Sequence, residues 1–71
     1  MELLIFKTDI KSKKKIKKVK NLFNTNIEIL DWGIDLEDVD NVLRIESVDG
    51  IDKKRIIKMT ETKGFCCEQL T

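Results

Sequence analysis

Residues 27–46, IEILDWGIDLEDVDNVLRIE, decide the fold. From Ile27 to Leu36 the pattern has a period of two, with Trp32, Ile34 and Leu36 on one side and Asp31, Gly33 and Asp35 on the other. That alternation marks a half-buried strand. Glu37 to Asn41 supplies a turn. Leu43 and Ile45 then alternate with Val42, Arg44 and Glu46 as the hairpin partner. Upstream, Ile16, Val19, Leu22 and Phe23 form a helical stripe against a Lys-rich outer side, with Ser12 as N-cap and Asn24-Thr25-Asn26 as stop. Before it, Met1 to Phe6 reads as a strand and Thr8 to Ser12 as a polar loop. Downstream, Val48 to Ile51 is a turn and Asp52 caps a second helix. Its inner stripe is Ile56, Ile57, Met59 and Thr60, it stops at Lys63-Gly64, and Phe65 to Leu70 is a last strand.

The order β-α-β-β-α-β predicts an α+β domain of the ferredoxin-like split βαβ type. Two helices cover one face of a four-stranded antiparallel sheet, and right-handed crossovers give the order 4-1-3-2. At 71 residues the chain has room for one such domain, spanning 1–71, and none for a two-lobed enzyme.

Composition narrows the function. The chain has no His, which removes the imidazole base and the imidazole metal ligand, and its three Gly are too dispersed for a phosphate cradle. A non-enzymatic protein is expected. The longest apolar run is Leu3 to Phe6, far short of a membrane span, and the start lacks the basic-then-apolar form of a secretory signal. Its only cysteines, Cys66 and Cys67, are neighbours and form no secreted disulfide framework. The expected location is cytoplasmic, with no membrane partner.

The net charge of +1 hides strong segregation. Residues 1–27 carry eight Lys and two acids, residues 28–50 one Arg and eight acids, and residues 51–71 five bases and three acids.

The chain resembles the heavy-metal-associated domain of copper chaperones and metal-transporting ATPases. The resemblance rests on Ile16, Val19, Leu22 and Phe23, on Trp32-Gly33-Ile34-Asp35-Leu36, on Leu43-Arg44-Ile45, on Ile56-Ile57, and on Gly64-Phe65 where the family has Gly-Tyr. It implies the ferredoxin-like frame and, in the family, a soft ion held by Cys-x-x-Cys in the first loop at the start of the first helix. Here that stretch is Thr8-Asp9-Ile10-Lys11-Ser12, matched as Asp9-x-x-Ser12, without a soft ligand. The chain reads as a divergent member that has kept the frame and lost the ligands.

Four features remain. Cys66 and Cys67 come beside the first loop in this topology, so they are candidate ligands for Cu or Zn, with Asp9 as a third. Alternatively Cys67 is a small core residue and Cys66 lies on the open side. Lys13, Lys14, Lys17, Lys18 and Lys20, with Lys15, coat the outer side of helix 1 and are either a docking surface for an acidic partner or a solvated helix face. Trp32 reads as core. In the first strand either Leu3 with Ile5 or Leu4 with Phe6 packs under the helices, and the other pair lies on the open sheet face. The lysines lack interleaved aromatics and accompanying Arg, and the hairpin is acidic, which argues against nucleic acid. The leading expectation is a docking module that engages a protein partner or itself through the basic helix and acidic hairpin, with no cofactor. The alternative is a soft-metal binding or chaperone protein using Cys66 and Cys67.

Overall fold

The computed structural model describes residues 1–70. The elements are β1 (Glu2–Thr8), α1 (Lys13–Asn24), β2 (Ile29–Ile34), β3 (Leu43–Ser47), α2 (Lys53–Thr62) and β4 (Cys67–Gln69). The strands form one antiparallel sheet in the order β2-β3-β1-β4, which is 4-1-3-2 read from the other edge. The fold is ferredoxin-like, as the alternation in 27–46 and the two amphipathic stripes require.

Register decides which side of each strand is buried. Leu4 pairs with Ile45 and Phe6 with Leu43, and all four pack with Val19, Phe23 and Ile56 in the core beneath the helices. Leu3 and Ile5, opposite Glu46 and Arg44, therefore lie on the uncovered face of the sheet. Trp32 and Ile34, opposite Ile45 and Leu43, turn inward and are half-buried against the core. The Trp32 ring meets Phe23 edge to face at 5.1 Å, and its indole N–H donates to the Asn24 side chain at 2.7 Å. A half-buried indole with its polar edge satisfied is stable in that place.

Three boundaries depart from the pattern. β1 runs two residues past Phe6, because Lys7 and Thr8 pair with Glu68 and Cys67 of β4; the Thr8 N–H donates to the Asp40 carbonyl and its hydroxyl to the Asn41 carbonyl, which satisfies a buried polar residue. β2 is shorter than the alternation, with a register shift between Ile29 and Asp31 that leaves Leu30 exposed; Ile27, before the strand, is 91% exposed. β4 is cut to three residues because the Cys66 N–H donates to the Asp9 carboxylate at 2.8 Å instead of entering the ladder. Gly64, at φ +87, ends α2 in the left-handed region that glycine enters without strain.

Candidate functional site

Helix α1 begins where Ser12 accepts a hydrogen bond from the Lys15 N–H and ends where the Thr25 hydroxyl and N–H return to the Asn21 carbonyl. Val19 and Phe23 are buried and Ile16 and Leu22 pack beside them, so packing explains the apolar stripe in full. Packing leaves the lysines unexplained. Lys13, Lys14, Lys15, Lys17, Lys18 and Lys20 are all exposed, and α1 contains no carboxylate. Lys13 to Lys15 sit in the first turn, where the helix dipole disfavours positive charge by a few tenths of a kcal/mol each. Side-chain ion pairs among the described residues join Lys7 to Asp40 and Arg55 to Glu28, and none reaches α1. The helix thus carries charge that its own stability does not call for.

Folding sorts the charges more sharply than the linear sequence suggests. Residues 9–25 and 52–65, the helices with their flanks, hold twelve of the 14 Lys and Arg and three of the 13 acids. The sheet and its turns hold the other two cations, Lys7 and Arg44, and the other ten carboxylates. Net charge is therefore about +9 in one layer and about −8 in the other, which sum to the +1 of the chain. The linear reading found the basic α1 and the acidic hairpin. It missed that Lys53, Lys54, Arg55 and Lys58 of α2 join the same basic layer, although the expected topology already put both helices on one face of the sheet.

The acidic hairpin turn is built by its own carboxylates. Asp35 accepts from the Glu37 N–H and Asp38 from the Asp40 N–H, and Asn41 takes a positive φ of 43. Asp40 reaches Lys7 at 3.6 Å, which fixes the turn at the end of the sheet where β1 runs into the first loop.

At that same end lie the candidate ligands. Asp9, Glu61, Cys66, Cys67 and Lys7 line one open hollow, so the fold does bring Asp9 beside the cysteine pair. The side chains there have separate tasks. Asp9 accepts from the Cys66 N–H, and Cys66 is exposed. Cys67 packs against the core, and burial pushes its thiol up to about 11, Glu61 adding to the rise and a hydrogen bond with Thr60 opposing it. No three Cys, Asp or Glu side chains converge to the spacing of a metal centre among the described residues. The helix start offers no soft ligand either. With Ser12 as the N-cap, the pair three residues apart that spans the start of α1 is Ser12 and Lys15, a hydroxyl and an ammonium.

No helix among the described residues is long and apolar enough to cross a membrane. No protein-family model matches the chain, and no curated protein matches it. Among solved structures it is similar to the copper(I)-loaded form of the first domain of the human copper chaperone for SOD1. The TM-score is 0.79 over 96% of this chain and 90% of that one, at 13% sequence identity. At that identity the likeness is one of fold: this chain has the ferredoxin-like frame of a copper-chaperone domain.

Proposed function

We propose that this protein is a non-enzymatic docking module on a heavy-metal-associated-like frame that has lost the usual metal ligands. Its basic α1 surface binds an acidic partner, either another protein or the acidic hairpin of a second copy. The observation that carries this reading is the set of six exposed α1 lysines with no ion-pair partner among the described residues, three of them in the turn where they cost the helix stability. Charge of one sign on one face raises the local concentration of acidic surfaces and speeds their capture.

The reading is tested with labelled poly-glutamate as the acidic probe, followed by fluorescence anisotropy at about 20 mM and about 200 mM salt. Screening shortens the reach of exposed charges from about 20 Å to about 7 Å over that range. Binding weakens at least tenfold with salt, and at least tenfold in K14E/K17E/K18E at low salt. Binding indifferent to both would sink the reading.

The second reading, a soft-metal (Cu or Zn) site using Cys66 and Cys67, is favoured by one observation, that both cysteines and Asp9 line one hollow. The donor set weighs against it. A soft ion needs thiolates, the Cys67 thiol holds its proton to about 11 and packs against the core, and Cys66 is exposed outside the strand.

A further inference from the structure

The open face of the sheet carries Asp31, Glu46 and Glu68, with Lys7 opposite Glu68 and Arg44 opposite Ile5, so its carboxylates outnumber its cations and two of them stand together on β2 and β3. Asp31 of β2 stands directly opposite Glu46 of β3, two carboxylates facing each other across the ladder on the side away from the helices. Like charges in that relation destabilise a sheet. No cation lies within ion-pairing distance of either among the described residues. Beside them the face carries apolar surface. Leu3 is 55% exposed and Leu70, hydrogen-bonded through its N–H to the Ile5 carbonyl, is 47% exposed. Gly33 presents no side chain, and the Arg44 guanidinium lies across it, 3.9 Å from where a Cβ would stand.

The helix layer and the Asp31–Glu46 pair of the sheet face therefore each carry charge that costs the isolated chain, and each is what the other would neutralise. We propose that the open sheet face is the docking site for the basic helix layer of a second copy, so that chains associate head to tail. This rests on the docking reading above and names its partner. The α1 lysines of one copy meet Asp31, Glu46 and Glu68 of the next. Their long aliphatic stems cover Leu3 and Leu70 while the ammonium groups reach the carboxylates. Because the two surfaces lie on opposite sides of the molecule, the contact is heterologous and does not close on itself, and it propagates as an open stack. Four strands about 4.8 Å apart and on average about five residues long offer roughly 340 Å², against the roughly 800 Å² per partner of stable complexes. The stack is accordingly weak, concentration-dependent and dissolved by salt.

Sedimentation velocity from about 10 µM to about 1 mM tests this on the reduced full chain, with far-UV circular dichroism confirming that each variant is folded. In about 20 mM salt the weight-average sedimentation coefficient rises with concentration past the dimer value, and about 300 mM salt returns it to the monomer. Both K14E/K17E/K18E on the helix layer and the near-isosteric D31N/E46Q on the sheet face lower the association constant at least tenfold. A wild-type chain that stays monomeric throughout at low salt overturns the proposal. So does association that D31N/E46Q leaves intact. Poly-glutamate binding, measured on the same samples, separates the two readings. If the probe binds while the chain stays monomeric, self-association alone falls; if neither occurs, both fall.

Discussion

Cys67 gives the sharpest quantitative test of how the loop end is built. Its side chain packs against the core beside Thr60, and burial raises its thiol from 9.0 to about 11. At about pH 8 that change lowers the thiolate fraction from about one in ten to about one in a thousand, and thiolate is the species that alkylates. Cys66, one residue earlier, is exposed. Iodoacetamide at about pH 8, followed by peptide mass mapping, should label Cys66 first. Cys67 in the native chain should then react about a hundredfold more slowly than Cys67 in urea. The same burial sets a pH dependence. A thiol raised above its unfolded value stabilises the fold fully below about pH 9 and ceases to do so as pH rises through about 11. The urea midpoint should accordingly fall between those pH values in the wild type and less so in Cys67→Ala. If native Cys67 reacts within about threefold of its rate in urea, the thiol is not held as described, and the objection to a thiolate ligand there disappears.

Three other substitutions probe separate parts of the structure. Phe23→Ala removes a fully buried ring and its edge-to-face partner contact with Trp32. It should cost about 3–5 kcal/mol, read in urea by Trp32 fluorescence, and a loss below about 1 kcal/mol would contradict the packing. Asp9→Ala removes the acceptor of the Cys66 N–H and should cost about 1 kcal/mol, with faster amide exchange confined to residues 65–68. Asp31→Asn relieves the carboxylate pair with Glu46 and should stabilise the monomer by about 0.2–1 kcal/mol at low salt, the gain shrinking at high salt.

Much of the fold was legible because its signals are local. The 27–46 alternation, the two amphipathic stripes and the caps at Ser12 and Asp52 each fix an element without help from distant residues, and the structure has all of them. The choice between Leu3 with Ile5 and Leu4 with Phe6 was not legible, because both faces of β1 are apolar. The pairing of Leu4 with Ile45 and Phe6 with Leu43 settles it. The ends of β1 and β4 escaped for a related reason. Thr8 and Asp9 are polar residues whose roles depend on partners 33 and 57 positions away. At the site, the α1 lysines were visible in the sequence, whereas the facing Asp31–Glu46 pair and the gathering of α2 cations into the same layer depend on register and topology.

The most direct test of docking through α1 is an amide NMR titration of the reduced, isotope-labelled chain with poly-glutamate, kept dilute to suppress self-association. Docking predicts shifts confined to residues 13–20 and nearby α2 positions, saturating at low salt and vanishing at about 200 mM. One equivalent of Cu(I) in a parallel sample should leave residues 8–12 and 65–68 unmoved. Silence from α1 with poly-glutamate, together with slow-exchange shifts at 8–12 and 65–68 with Cu(I), would contradict the docking reading and place the function at the cysteine pair.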